Sequence, residues 1–341
     1  MDEPSDLLAC PACGGALGRS SACRACGRIY PEERGVRRLR LESSPRTEAV
    51  RDFYAQAPFP GYPEHATLDW VRARGDRSPF ARQLDMAIAA DARIVEVGCG
   101  TGQLSLYLAK SERQIVGADL TLASLRLGAA AARRFGVRGV QFVETDLHRP
   151  GLRRGAFDVV ICSGVLHHTP DPRRAFGHVV ELARPGGILV VGLYNAVARL
   201  PQRLRRVVAR LTRRRWIPFD PVLRARDAEP ERREAWLRDQ YMHPEEHRHT
   251  HGEVLRWFAE RGVEYVRSFP STVLGDAGEQ LFEPAEDAWA LEAWLAQLGW
   301  MRTLGDEGGL FIMVGRRGAE GVASAPVRAV ALRAADEPVV A

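Results

Sequence analysis

The spacing of apolar positions changes several times along the chain, and each change marks an element. Ile94-Val95-Glu96-Val97 is an apolar run of strand length that stops at Gly98-Cys99-Gly100-Thr101-Gly102, after which 104–110 has helical periodicity. A second strand reads from Gln114-Ile115-Val116-Gly117-Ala118 into Asp119 and Leu120, and a third over 139–144 leads to Asp146-Leu147. Gly155-Ala156-Phe157-Asp158 opens the apolar run 159–162, which ends at Ser163-Gly164, and Arg184-Pro185-Gly186-Gly187 opens another at 188–193. Strand, turn and helix repeat with acidic strand ends. That repetition predicts an α/β fold, a doubly wound and mostly parallel sheet with its ligand at the carboxyl ends of the strands. A helix over 253–261 and strands over 263–269 and 310–315 complete the pattern.

The flanks are less regular. A helix is expected over 79–90, whereas Ala57-Pro58-Phe59-Pro60-Gly61-Tyr62 is broken by proline and either closes over a pocket or packs on the core. Two insertions, about 196–252 and 271–308, are expected to form a substrate lid; the second holds Trp289, Trp294 and Trp300. In the first, Leu200, Leu204, Val207, Val208 and Leu211 fall at helical spacing among Arg203, Arg205, Arg206, Arg210 and Arg213 to Arg215. The expectation is a lid helix with its apolar face on the core and its arginines in water; contact with a membrane surface or RNA is the alternative. Residues 318–341 lack periodicity and read as a disordered tail.

A chain of 341 residues can bury one full core, expected over 48–317, and still carry a small module at 1–41. The formal charge of +5 looks like a nucleic-acid signal until the basic residues are inspected: Lys110 is the only lysine. Arginine-for-lysine usage with abundant alanine reads as genome composition, so the charge argues weakly for a polyanion. No apolar run approaches the roughly 20 residues of a membrane helix, and no leader opens the chain, so a cytoplasmic location is expected.

Cys10-Pro-Ala-Cys13 and Cys23-Arg-Ala-Cys26 repeat one spacing, each followed by glycine (Gly14, Gly27). Four thiolates so arranged can close a tetrahedral Zn2+ site with no open position, which makes the metal structural. The stretch resembles the zinc-ribbon segments of the small activator of tRNA methyltransferases and of some fused bacterial methyltransferases. Cys99 and Cys162 stand alone in apolar, strand-like contexts.

A glycine-rich turn between strand and helix lets a ligand approach the backbone, and nicotinamide and flavin enzymes use similar turns. The neighbouring segments decide between them. In this order across about 90–195, the quoted residues resemble the class I, Rossmann-like S-adenosylmethionine-dependent methyltransferase family, which implies a seven-stranded sheet with an antiparallel last strand. By that resemblance Glu96, Gly98, Gly100 and Gly102 line the methionine and ribose side of S-adenosyl-L-methionine. Asp119 with Leu120 holds the ribose hydroxyls, Asp146 with Leu147 faces the adenine, and Ser163 and Gly164 lie beside the sulfonium. Asp146 and the Arg184-Pro185-Gly186-Gly187 turn weigh against a nicotinamide enzyme.

His167 and His168 follow the strand end nearest the expected methyl group and are the candidate catalytic bases, since imidazole titrates in a useful range. Tyr54, Tyr194, Asn195, His243 and His247 are candidates for touching the acceptor. The cluster His243, Glu246, His247, His249 and His251 has metal-binding residue types, but Pro244 breaks a simple facing pair and methyl transfer requires no metal, so pocket or capping roles are favoured. The Asn/Asp-Pro-Pro-Tyr/Phe signature for exocyclic nucleobase amines is missing after the fourth strand. The sequence therefore points to a small or medium-sized acceptor methylated on oxygen, nitrogen or carbon. An RNA methyltransferase gripping its substrate by the ribbon and the arginine-rich helix is the alternative, and a cofactor-binding protein without turnover stands third.

Overall fold

A computed structural model describes residues 4–18, 21–58, 60–110, 112–225, 230–273, 276, 280–285 and 290–319. The expected tail beyond 319, Phe59 and Trp289 lie outside these. In chain order, β1 (Glu32–Glu33) and β2 (Val36–Arg38) precede helices α1 (Pro45–Ala55), α2 (Leu68–Asp76) and α3 (Pro79–Ala87). The central repeat is β3 (Arg93–Val97), α4 (Gln103–Leu108), β4 (Gln114–Asp119), α5 (Leu122–Arg134), β5 (Val140–Glu144), β6 (Phe157–Ser163), α6 (Pro172–Leu182) and β7 (Ala183–Tyr194). Helices α7 (Leu200–Leu211), α8 (Pro221–Arg224), α9 (Pro230–Met242) and α10 (His251–Glu260) lead to β8 (Val263–Phe269), α11 (Ala290–Thr303) and β9 (Leu310–Arg317).

The strands form one sheet in the order β1-β2-β5-β4-β3-β6-β7-β9-β8. Its core is the expected seven strands: β5, β4, β3, β6 and β7 run parallel, and β9 enters antiparallel between β7 and β8. Strand alternation divides the apolar residues between two faces. Val95, Val116, Val160, Leu189 and Val191 meet Phe176 of α6 and Phe258 of α10 on one side. Ile94, Ile115, Ile161 and Val190 meet Leu84 of α3, Leu106 of α4 and Leu125 of α5 on the other. Serine or aspartate caps followed by proline start α1, α3 and α6, each cap side chain accepting a backbone N–H of the first turn.

Two short strands extend the sheet beyond the seven. β2 pairs parallel with β5, joining Val36 to Phe142 and Arg38 to Glu144, and β1 folds back on β2. The cysteine segment is thereby built into the main body: Leu7, Leu8, Cys10, Tyr30 and Leu39 share the core cluster of β3 to β7. Its start also lies antiparallel to the loop after β5, with Ala9 N–H donating to Gly151 O and Arg153 N–H to Leu7 O. These contacts run across residue 41 and tie the segment to the main body.

The expectation for α7 is reversed. Gln202 and Ala209 face inward, while Leu200, Leu204, Val207 and Leu211 are exposed. The physical reason is a buried charge. Glu246 is almost fully enclosed and paired with Arg199 and Arg206, so the helix must turn its polar side to the body. No helix among the described residues is long and apolar enough to cross a membrane.

Candidate active site

A cavity of about 230 Å³ opens at the carboxyl ends of β3, β4 and β6 and is covered by α1. Gly98 and Gly100 form its floor; both adopt positive φ (73° and 55°), and a Cβ at Gly98 would lie 2.0 Å from Val165. Only glycine suits that turn. Gly164, also at positive φ, has no atom within 4 Å of where its Cβ would be, leaving the backbone open to the cavity.

Asp119 ends β4 with its carboxylate accepting the N–H groups of Gly100 (2.9 Å) and Thr121 (2.7 Å). Burial raises its pKa, although these amides act in the opposite sense. The carboxylate lines the cavity, within reach of a ligand hydroxyl. Leu120, Leu147 and Leu152 give an apolar wall nearby. Asp146 accepts Ser43 Oγ (2.6 Å) and the backbone N–H of His148 (2.9 Å). Burial alone would raise its pKa, but the bonds from His148 and Ser43 outweigh it and hold the group down at about 2.

Other residues assigned by resemblance lie behind this surface. Glu96 is bonded by Ser105 Oγ and does not line the cavity; burial raises its pKa to about 7. Gly102 caps α4, and a Cβ there would strike Phe142 at 2.4 Å. Ser163 likewise lies outside the lining, packed under Gly192.

Above the glycine turn lies a ring of polar side chains centred on Asp239 from α9. Its carboxylate accepts Tyr54 OH (3.1 Å), Tyr194 OH (2.8 Å) and Gln240 Nε2 (2.7 Å), and it lies 3.8 Å from His168 Nε2. Burial would raise the Asp239 pKa, but His168 and the tyrosine hydroxyls bring it down below the usual carboxylate value. His168 lines the cavity, and its Nδ1 sits 2.8 Å from Glu245 O. A carbonyl only accepts, so Nδ1 carries the proton and Nε2 presents a lone pair. Burial pushes the His168 pKa down, which keeps the ring neutral. His167 is different: it is fully buried, stacks on Tyr194 at 3.8 Å, has neither ring nitrogen bonded and does not line the cavity.

His243 stacks 3.7 Å from His168. Its Nδ1 accepts the N–H of Glu245 (3.1 Å), so in the neutral ring Nε2 carries hydrogen, and that buried N–H has no partner. Burial lowers its pKa to about 3. Donor atoms of His168, Asp239 and His243 lie within 4.8 Å of one another, a spacing open to a metal ion. The hydrogen bonds oppose that use, because one nitrogen of His243 is committed as acceptor and the other holds the proton.

Asn195 is committed to structure: Oδ1 caps Val197 and Ala198, and Nδ2 donates to Gln297. His247 bonds Glu245 (3.0 Å) and lies away from the cavity. Tyr54 lines it. At the other end of the chain, Cys10 and Cys26 Sγ are 3.7 Å apart and Cys13 and Cys23 Sγ 3.5 Å, all four within 4.8 Å. A tetrahedron with Zn–S bonds of about 2.3 Å has edges of about 3.8 Å, so the thiols fit such a centre.

The topology separates this sheet from the nicotinamide-binding one. Counting from β3, its order is 3-2-1-4-5-7-6 with the seventh strand antiparallel, whereas the dinucleotide fold runs 3-2-1-4-5-6. With a glycine turn after the first strand and an acid at the end of the second, the fold is that of class I, Rossmann-like methyltransferases. Residues 95–191 match the methyltransferase domain family. Over 121 residues the chain is 33% identical to the ubiquinone biosynthesis O-methyltransferase of Ralstonia nicotianae, covering 35% of this chain and 45% of that protein. Over 198 residues it is 28% identical to an uncharacterized protein of Synechococcus sp., covering 51% and 48%. The chain spans about half the length of these curated relatives. Among solved structures, magnesium protoporphyrin IX methyltransferase from Synechocystis PCC 6803 with bound SAH overlaps 80% of this chain and 100% of that one, at 15% identity and a TM-score of 0.47.

Proposed function

We propose that this chain transfers a methyl group from S-adenosyl-L-methionine to a hydroxyl of a small or medium-sized acceptor, with His168 as the base. The observation that carries the reading is the orientation of His168: Glu245 O fixes the proton on Nδ1, and Nε2 is free beside the cavity. S-adenosyl-L-methionine would be held by Gly98, Gly100, Asp119 and the Leu120–Leu147 wall, and it supplies a methyl group already activated on a sulfonium. The protein has then to position the acceptor and take its proton. Nε2 of His168 accepts the hydroxyl proton, and the Asp239 carboxylate, 3.8 Å away, stabilises the resulting imidazolium. His243, packed 3.7 Å from the His168 ring, supports that ring from behind. Tyr54 and Tyr194 hold Asp239 in place. The O-methyltransferase relative supports oxygen as the acceptor atom. The cysteine cluster is read as a structural Zn2+ centre, supported by its sulfur spacings.

Calorimetric titration with S-adenosylhomocysteine is expected to show one saturable site. Labelled methyl groups should then appear on phenolic or alcoholic acceptors, with His168→Asn lowering kcat by roughly 10²–10⁴-fold and leaving cofactor affinity within a few-fold. His167→Phe should change the rate much less. Failure to bind S-adenosylhomocysteine removes the whole reading, whereas full activity in His168→Asn removes only the base.

A further inference from the structure

The exposed face of α7 has no role in the site just described. Leu204, Val207 and Leu211 are 69%, 54% and 81% exposed, and Leu200 is 42% exposed one turn earlier. Their spacing of four, three and four residues places them on one stripe. Beyond the helix, Trp216 and Phe219 are 59% and 73% exposed. Scattered surface leucines need no explanation, but a continuous outward apolar stripe does.

Charge identifies what covers it. Between Arg199 and Phe219 the chain carries eight arginines and no acidic residue. Arg199 and Arg206 are consumed by Glu246, while Arg203, Arg210 and Arg213 to Arg215 are exposed with the stripe. We infer that α7 and the segment to Phe219 dock on an anionic lipid surface, the leucines and aromatics entering the headgroup boundary and the arginines meeting lipid phosphates. A nucleic acid would satisfy the arginines and leave the leucines in water. A second copy of this helix would bring like charges together. The anionic bilayer satisfies both features at once.

The docked helix would also lie close to the chemistry. Arg199, at its start, packs 3.7 Å over the Tyr194 ring and pairs with Glu246, and Tyr194 bonds Asp239. The surface that meets lipid is thus tied directly to the ring of polar groups above the cavity.

The test is sedimentation of the full chain with vesicles of phosphatidylglycerol and phosphatidylcholine, or of phosphatidylcholine alone, at physiological salt. Binding is expected only with phosphatidylglycerol present. Leu204→Ser with Leu211→Ser, and separately Arg203→Gln with Arg210→Gln, should each reduce partitioning by roughly tenfold or more. All four positions are exposed, so circular dichroism and S-adenosylhomocysteine affinity should match the parent chain. Absence of binding to the anionic vesicles overturns the inference. So does binding that the serine variant retains, which would mean adsorption by charge alone. Salt-sensitive binding to bulk RNA without vesicle binding would assign the surface to a polynucleotide instead.

Discussion

Replacing Asp119 by alanine tests the cofactor geometry most directly, and Glu96 supplies the contrast. Both are acids at or near the ends of adjacent strands. The Asp119 carboxylate lines the cavity and accepts backbone amides at 2.9 and 2.7 Å. Glu96 lies behind the turn, bonded to Ser105. A hydrogen bond to a charged group contributes about 1.5–3 kcal/mol, so losing one net ribose interaction should weaken S-adenosylhomocysteine binding roughly 10- to 150-fold. The loss would be moderated where water rehydrates the freed amides of Gly100 and Thr121 in the empty cavity. Glu96→Gln keeps a partner for Ser105 and should leave affinity within a few-fold. Isothermal titration calorimetry of both variants decides the matter, with thermal melts to confirm folding. If Asp119→Ala binds as the parent does, or Glu96→Gln weakens binding as strongly, the geometry argued here is wrong.

Three further outcomes are expected. Glu246→Gln removes the counter-charge of Arg199, which is 1% exposed, and should cost about 3–5 kcal/mol in urea unfolding; an unchanged midpoint would show that Gln240 and the Gly308 carbonyl suffice. Burial lowers the His251 pKa to about 4, so its contribution to stability is complete above the ordinary histidine pKa near 6.5 and is lost as pH falls towards 4. His251→Asn should accordingly flatten the stability slope between these limits by about 1.4 kcal/mol per pH unit, and parallel slopes in parent and variant would refute the assignment. Zinc chelation should weaken S-adenosylhomocysteine binding as well as disorder the cysteine segment, because Leu8 lies beside Leu152 of the cavity wall and Ser43 bonds Asp146; unaltered affinity would mean the two parts are independent.

The strands of the central sheet could be read from sequence because each is an apolar run ended by glycine or an acid, and those endings are also what place Gly98, Gly100, Asp119 and Asp146 at the cavity. Side-chain direction was less legible. Nothing in Val95-Glu96-Val97 distinguishes an acid facing a ligand from one buried against Ser105. Asp239 gave no signal either: it is one carboxylate in a polar helix, and its importance comes from Tyr54, Tyr194 and His168, which are distant in sequence. For α7 the periodicity was correct but the inward side was not, because that side is selected by Glu246 from a later loop. β1 and β2 are too short for an alternating pattern to register.

The pairing of β2 with β5 also bears on how the molecule avoids joining to copies of itself. In its absence β5 would be the outer strand, offering a row of free amides and carbonyls to any passing extended chain. The cysteine segment covers that row and leaves β1, only two residues long, as the edge on that side of the sheet. Loss of order around the four thiols would therefore uncover a template for aggregation, and oxidation of those thiols would be felt through solubility.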